Sequence, residues 1–373
     1  MTRRISPLVI LLILAVLPWC TVPVPGVLEG PINSPGTLQL LAVCLVFGGL
    51  ALGYDLLFGR AGLLSFGHAL FIAAGAYGSD ILVTHYGWSL AAAIAATVAG
   101  AAVLGLVLGS VALRTAGIAF AMVTLAFAQV GSILVSRDPG GLTGGEEGLP
   151  LTPPPVFAGV ANTVNLYWFA LAVLVLVVIV VHGIDRAPLG RTLTGLRDDE
   201  RRIAVLGLSP YVLKLLIFVV AGALAALGGA TYALVVGGAS PHVASSDLTL
   251  SLIVMAVLGG AGTRWGAVVG GVLYAYLDQR LTQLGGHLPG PLGQPLFVLG
   301  VLFVGAVYFA PGGLAGLFPR PGTAGQLRNR PPAKLAAASA TGRPVRSGDE
   351  HDVARRDDGV EPGQGDPAAT TSG

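Results

Sequence analysis

Long apolar segments constrain this chain more than any other feature. Ten windows approach or exceed the roughly 20 mostly apolar residues that a membrane-spanning helix needs. They lie at residues 5–22, 37–57, 65–84, 89–112, 116–135, 164–183, 212–236, 248–262, 266–284 and 296–318. The eighth and ninth are short and share a glycine-rich junction, so a broken or re-entrant pair is the alternative there. The windows predict an all-α, polytopic membrane bundle of about ten transmembrane helices.

The composition excludes the main soluble classes. Only 11% of the 373 residues are charged, whereas soluble domains carry about 25%. A water-soluble enzyme could not hide so much apolar surface, and intrinsic disorder needs the opposite balance of charge and hydrophobicity. The two basic residues Arg3 and Arg4 precede the first window, and Trp19 is too bulky for a cleavage site. We therefore interpret this window as an uncleaved span and not as a signal peptide.

The basic residues predict the orientation. If the N-terminus is cytoplasmic and all ten spans are real, 11 of the 13 Lys and Arg residues before residue 319 lie on the cytoplasmic side, as the positive-inside rule favours. These 11 are Arg3, Arg4, Arg60, Arg114, Arg186, Arg191, Arg197, Arg201, Arg202, Lys214 and Arg264. Both termini are then cytoplasmic, loop 136–163 is outside and loop 184–213 is inside. Residues 1–318 form the predicted transmembrane domain, and the polar segment 319–373 is a predicted disordered cytoplasmic tail.

The sequence shows no energy-converting or catalytic motif. Neither lysine, Lys214 or Lys334, belongs to a Walker A loop, so ATP used for transport must be bound by another subunit. The GAGTRWG pattern at 260–266 resembles a dinucleotide-binding loop, but its apolar flanks favour a tight turn between two spans. We predict no enzyme activity, bound cofactor, metal or nucleic-acid partner.

A few polar residues inside the spans are candidates for a solute pathway or for helix packing. Asp55 is interpreted as an interfacial charge paired with Arg60 in preference to a pathway residue. Ser65 could cap the third span, and His68 is equally a hydrogen-bonded residue or a pathway residue. Thr124 and Gln129 either line a pathway or bridge helices. Four further residues near span ends are expected at the membrane interface: Asp80, His85, Asp278 and Arg280.

The inside loop at 188–207 predicts a pair of short amphipathic helices. Leu189, Leu193 and Leu196 recur at helical spacing, a dense charged stretch covers 197–202, and Gly207 ends the second helix. An apolar stripe beside a charge cluster favours docking of a soluble cytoplasmic partner over an ordinary solvated loop. Glycine pairs four residues apart also predict close helix packing, at Gly49/Gly53, Gly105/Gly109 and Gly262/Gly266/Gly270.

Six segments in order resemble the LivM-type permease subunits of ABC importers for branched-chain amino acids. They are LGYDLLFGRAGLLSFGHA at 52–69, GIAFAMVTLAFAQ at 117–129, LTGGEEGL at 142–149, PLGRTLTGLRDDERRIAVLG at 188–207, VLGGAGT at 257–263 and FAPGGL at 309–314. The resemblance extends from about Val43 to Leu317. At Asp55 the family usually has asparagine, and at Arg201 and Arg202 it usually has alanine.

The resemblance implies a type II importer fold in a bacterial inner membrane and transport by alternating access. The implied partners are a second, LivH-type permease, two cytoplasmic ABC ATPases that bind ATP, and an extracytoplasmic solute-binding protein. Loop 188–207 would be the ATPase-coupling element, with Glu200 seven residues before Gly207 as in the importers' EAA-type loop. The residues assigned to it are Arg191, Leu196, Arg197, Asp198, Glu200, Arg201 and Gly207. The alternatives are a permease for urea, short amides or another small solute, and, less favoured, a stand-alone secondary transporter.

Overall fold

The computed structural model describes residues 14–19, 30–285, 294–309 and 312–316. These residues form helices joined by short connections, which confirms the all-α prediction. The helices are α1 (Pro35–Asp55), α2 (His68–Thr84), α3 (Leu90–Ala112), α4 (Ile118–Arg137), α5 (Thr163–Arg186), α6 (Pro188–Asp198), α7 (Glu200–Val205), α8 (Pro210–Val236), α9 (Ser246–Gly259), α10 (Arg264–Gly285), α11 (Pro295–Phe309) and α12 (Gly313–Gly316). A π-turn, Leu56–Arg60, extends α1.

Five of the described helices are long and apolar enough to cross a membrane: α1 with its π-turn, α3, α4, α5 and α8. Helices α2 and α9 are apolar but shorter. Most of the first predicted span and the whole predicted tail, 319–373, lie outside the described residues, as does part of the tenth span. The exact count of ten spans and the division at residue 318 therefore stay predictions.

Glycines allow the central helices to approach one another closely. A Cβ at Gly75 of α2 would overlap the backbone of Ala226 in α8, and one at Gly229 of α8 would overlap the backbone of Ile72. The predicted pair in α3 packs in the same way, because a Cβ at Gly109 would lie 2.8 Å from the Phe218 ring of α8. Because glycine has no side chain, the helix backbones come into van der Waals contact. Such contact is a main source of helix association in lipid.

Helices α9 and α10 form an antiparallel pair around a tight turn at residues 260–263. Gly266 and Gly270 of α10 lie against the backbone at Gly259 and Met255 of α9. The turn interpretation of the glycine-rich 260–266 pattern is confirmed. The 14 residues of α9 rise only about 21 Å, less than the roughly 30 Å of the hydrocarbon core. The shortness of α9 matches the broken-pair alternative, whereas α10 has 22 residues.

A two-stranded antiparallel sheet joins two connections at the opposite end of the bundle. Strand β1 (Leu149–Pro150) comes from the loop after α4, and β2 (Gly238–Ala239) directly follows α8. Leu149 pairs with Ala239 and Pro150 with Gly238. Both connections are outside in the predicted orientation, so the pairing agrees with that orientation.

Candidate functional site

Asp55 lies at the centre of a polar junction where α1 ends. Its side chain is completely buried, because the α9–α10 turn covers it. The Gly262 N–H donates to Asp55 Oδ1 at 2.6 Å, and Arg60 Nε lies 3.8 Å from Oδ2. The structure thus pairs Asp55 with Arg60, as the sequence suggested, but places the pair inside the protein and not at an exposed interface.

An ion-pair series extends this junction to two further helices. Arg60 Nη1 lies 2.6 Å from Asp185 Oδ1 at the end of α5. The other carboxylate oxygen of Asp185 lies 3.1 Å from Arg264 Nε at the start of α10, and Arg264 also contacts His182. Burying charges is tolerated where each has a partner. The series therefore ties the ends of α1, α5 and α10 together at the predicted cytoplasmic side.

The inside loop forms the predicted helix pair, α6 and α7. Leu193, Leu196 and Ile203 are buried against the bundle, which anchors both helices. Asp199 caps α7 by accepting from the N–H groups of Arg201 and Arg202. Sequence reasoning missed this cap, although an aspartate directly before a charged helical stretch is its usual signal. The helix pair is thereby fixed in a defined position on the bundle.

Arg197 connects this pair to the junction. Its guanidinium donates to the backbone carbonyl of Gly59 in the π-turn. Its side chain also lies beside Gly62, where a Cβ would come within 3.1 Å of Arg197 Cγ. The end of α6 is thus bonded to the same turn that holds Asp55 and Arg60.

The other loop residues predicted from the sequence lie at the surface. Glu200 forms an ion pair with Lys214 at 2.6 Å, and Gly207 has a φ of +80° that suits glycine. The side chains of Arg191, Asp198, Glu200 and Arg201 are exposed. Two apolar neighbours, Val205 and Leu206, are 88% and 69% exposed. Such apolar exposure beside charges is typical of an interaction surface.

An irregular segment, residues 61–67, lies between the π-turn and α2 and returns into the bundle. Tyr54 Oη donates to the Ser65 carbonyl at 3.0 Å. The Phe66 N–H donates to Thr124 Oγ1 of α4 at 3.1 Å. Non-helical backbone at membrane depth must find such partners inside the protein. The buried hydroxyl of Thr124 therefore has a bridging role, one of the two alternatives left by the sequence.

The first N–H groups of α2 are also satisfied by side chains. The Ser65 hydroxyl accepts from Gly67 N–H at 3.2 Å, and the Thr249 hydroxyl of α9 accepts from Ala69 N–H at 3.0 Å. The N-cap position is held by Gly67 and not by Ser65. His68 is buried edge-on to the Tyr54 ring, with centroids 4.9 Å apart. Among the described residues neither of its ring nitrogens has a hydrogen-bond partner.

Two other polar residues lie apart from this cluster. Gln129 is exposed on α4, and its amide donates to Ser246 Oγ at the start of α9, at 2.7 Å. Asp80 was expected at the membrane interface, and its depth in the membrane stays a prediction; its side chain is fully buried in α2. Helix α2 begins three residues later than predicted and packs along α8, which places Asp80 inside the bundle. Within the described residues no three His, Cys, Asp or Glu side chains cluster as metal ligands would.

Comparison with known proteins gives the family. Residues 36–307 match the family model described as "Branched-chain amino acid transport system / permease component". The chain belongs to this family. The match covers nearly the same region as the resemblance found in the sequence, which is thereby confirmed, and it makes the chain a multi-pass membrane protein.

Three relatives illustrate the family. The chain is 29% identical over 265 residues to the high-affinity branched-chain amino acid permease LivM of Escherichia coli, covering 64% of this chain and 62% of that protein. It is 27% identical over 334 residues to LivM of Salmonella typhimurium, covering 83% and 74%. It is also 27% identical over 175 residues to the autoinducer 2 import permease LsrC of Salmonella typhimurium, covering 45% and 48%. The chain thus spans less than two thirds of the E. coli relative.

Proposed function

We propose that this protein is a permease subunit of an ATP-driven ABC importer for branched-chain or related amino acids. It assembles with a second, LivH-type permease, two cytoplasmic ATPases and an extracytoplasmic solute-binding protein. Family membership and the names of the two LivM relatives support this solute class. Both termini are cytoplasmic, ATP is bound and hydrolysed by the separate ATPases, and this chain catalyses no reaction and holds no cofactor.

The surface of α6 and α7 carries the proposal. One side of the helix pair packs on the bundle. The other side exposes Arg201, Val205 and Leu206. An exposed apolar pair rimmed by charged residues is typical of a protein interaction surface, and arginine is enriched at such interfaces. This surface is the docking site for one ATPase.

The junction supports a coupling mechanism. When ATP binding closes the ATPase pair, α6 moves with the docked subunit. Arg197 transmits this motion to the π-turn through Gly59, and Asp55 transmits it to the α9–α10 turn through Gly262. Packed helices joined by hydrogen bonds move as units in such transitions. The bundle then exposes the solute pathway alternately to each side.

Gln129 and the exposed face of α4 border that pathway or the second permease. A side-chain amide on a helix face open to lipid would lack enough polar partners. The Gln129 amide has Ser246 as one partner on this face. Water or the neighbouring permease supplies the others.

A matched pair of variants tests the docking surface. We expect Val205→Ser/Leu206→Ser to lower both leucine uptake and solute-stimulated ATP hydrolysis by about tenfold or more, because loss of apolar contact weakens ATPase docking by at least about 1.4 kcal/mol. The control, Val156→Ser/Val160→Ser, changes two valines of the outer loop that are 60% and 72% exposed. It leaves both rates unchanged. Both measurements use the complete transporter in proteoliposomes.

The same preparation distinguishes the alternatives. Unchanged coupling in Val205→Ser/Leu206→Ser would contradict the docking role. Concentrative leucine uptake by the chain alone under a proton or sodium gradient would contradict the importer and support a secondary transporter. ATP-driven uptake of urea or short amides without leucine uptake would change the solute class only.

A further inference from the structure

His68, the first residue of α2, is a buried histidine without a hydrogen-bond partner. Its side chain is 1% exposed, and neither ring nitrogen finds a partner among the described residues. Buried polar groups are normally paired, because an unpaired group has lost its hydrogen bonds to water without replacing them. An apolar side chain of the same shape avoids this cost, so a histidine at this position requires an explanation.

The packing around His68 does not require a histidine. Its ring lies edge-on to Tyr54, with centroids 4.9 Å apart, and 6.1 Å from the ring of Phe71. Phe71 in turn contacts Phe218 of α8, which contacts Phe120 of α4. All these pairs have the edge-to-face geometry that aromatic rings favour. A phenylalanine at position 68 would continue this row of buried rings and leave no nitrogen unpaired.

Hydrogen-bonding groups lie directly beside His68 in the chain and in the fold, but they bind other atoms. The Thr249 hydroxyl of α9 accepts from the N–H of Ala69 at 3.0 Å. The Ser65 hydroxyl accepts from the N–H of Gly67 at 3.2 Å. These bonds join the first turn of α2 to α9 and to the irregular segment that precedes it. A displacement of α9 along α2 therefore changes which groups face His68.

Helix α9 connects this site to the coupling junction. Its last residue, Gly259, directly precedes the turn in which the Gly262 N–H donates to Asp55. Thr249 lies about 15 Å from Gly259 along the helix. Because packed helices move as units, motion that the turn receives from the junction reaches Thr249 and, through it, the start of α2.

We propose that His68 is a positioning residue of the transport cycle, which lacks a hydrogen-bond partner in the described state and gains one in the state reached when α9 moves. The imidazole raises the free energy of the first state and lowers that of the second, so it shifts the equilibrium away from the described state. A residue that breaks a packing rule without local compensation is expected at functional positions. The proposal rests on the proposed function and adds a residue that sets the balance between its two states.

Two variants separate the ring of His68 from its nitrogens. His68→Phe keeps an aromatic ring in the row and removes both nitrogens, whereas His68→Gln keeps hydrogen-bonding groups and removes the ring. We expect His68→Phe to raise the unfolding midpoint of the detergent-solubilised chain by about 2 °C or more, because the unpaired group is gone. It should also lower leucine uptake by the complete transporter in proteoliposomes about tenfold, because the second state loses its hydrogen bond.

His68→Gln should show the opposite pattern. Its unfolding midpoint falls, since the edge-to-face contacts are lost, but its uptake stays several-fold above that of His68→Phe, since an amide still forms hydrogen bonds in the second state. The matched control is Tyr167→Phe, which removes a hydroxyl from another buried ring. That hydroxyl is paired, because it donates to the Leu14 carbonyl at 2.7 Å. The control should lower the unfolding midpoint and leave uptake unchanged.

A merely structural role would move stability and uptake in the same direction. Three results would overturn the proposal: an unfolding midpoint of His68→Phe that is unchanged or lower, wild-type uptake by His68→Phe, and uptake by His68→Gln as low as that of His68→Phe. Any of these, with normal leucine uptake by the wild type, contradicts only this inference. Absence of leucine uptake by the wild type contradicts the proposed function, whereas the unfolding midpoints still test whether His68 is unpaired.

Discussion

Asp55 connects residues that are more than 200 positions apart, because it accepts from the Gly262 N–H and faces Arg60. We expect Asp55→Ala to destabilise the chain by about 1–3 kcal/mol, since it leaves the Gly262 N–H without this acceptor, while Arg60 keeps Asp185 as a partner. Asp55→Asn should cost clearly less, because an amide oxygen still accepts from Gly262. Thermal unfolding of the detergent-solubilised chain measures both. Equal losses for the two variants would show that the charge, and not the hydrogen bond, stabilises the junction.

Thr124 offers a second test at the level of one hydroxyl. Thr124→Val keeps the shape of the side chain but removes the acceptor of the part-buried Phe66 N–H, so we expect a loss of about 1 kcal/mol or more. Thr97→Val is the matched control, because the Thr97 hydroxyl donates only to carbonyls of its own helix, Ala93 and Ile94. Its substitution leaves no N–H unpaired. A loss as large in Thr97→Val would argue against the bridging role of Thr124.

At the scale of helices, the packing of α2 against α8 depends on the absence of side chains. Gly75→Ala places a Cβ into the Ala226 backbone, and we expect it to destabilise the chain by about 1–3 kcal/mol through overpacking. Gly100→Ala changes a glycine of α3 that has no heavy atom within 4 Å of the modified position and should cause no loss. Thermal unfolding of the detergent-solubilised chain measures the stability of both variants. Similar stability of the two variants would contradict close packing at Gly75.

The positions of the helices followed from the sequence wherever apolar runs decided them. The windows at 89–112 and 212–236 agree with α3 and α8 to within two residues, because lipid requires length and hydrophobicity. The helix pair at 188–207 was predicted from its apolar spacing and found as α6 and α7. Local pattern and tertiary packing favour the same structure at these places.

The start of α2 shows where this reasoning fails. The apolar window begins at residue 65, but the helix begins at His68, since the Phe66 N–H donates to Thr124 and the Ala69 N–H, in the first turn of α2, donates to Thr249. These partners lie 58 and 180 residues away from the N–H groups they bind, and no local pattern reveals them. Asp185 and Arg264 were missed at the junction for the same reason. The sequence placed Arg264 among the cytoplasmic charges but could not show its partner.

At the scale of the whole molecule, different polar contacts close the two ends of the bundle. The junction at one end holds Asp55, Asp185, Arg197 and Arg264, and the β1–β2 pair closes the other. Helices α5 and α8 each run from one end to the other. The orientation inferred from positive charges therefore makes the junction cytoplasmic and the strand pair extracytoplasmic.

Site-directed labelling tests this orientation. Cys20 and Cys44 are first replaced by alanine, and Glu147→Cys or Arg201→Cys then introduces one exposed thiol in the loop before α5 or in α7. We expect a membrane-impermeant maleimide to label Glu147→Cys in intact spheroplasts and Arg201→Cys only after permeabilisation. Five predicted spans, an odd number, separate Glu147 from the cytoplasmic N-terminus, whereas six, an even number, separate Arg201 from it. A swapped pattern would mean that the whole bundle is inverted. Labelling of both variants from the same side would mean that α5 does not cross the membrane, and it would contradict the separation of the junction from the strand pair on which the proposed coupling depends.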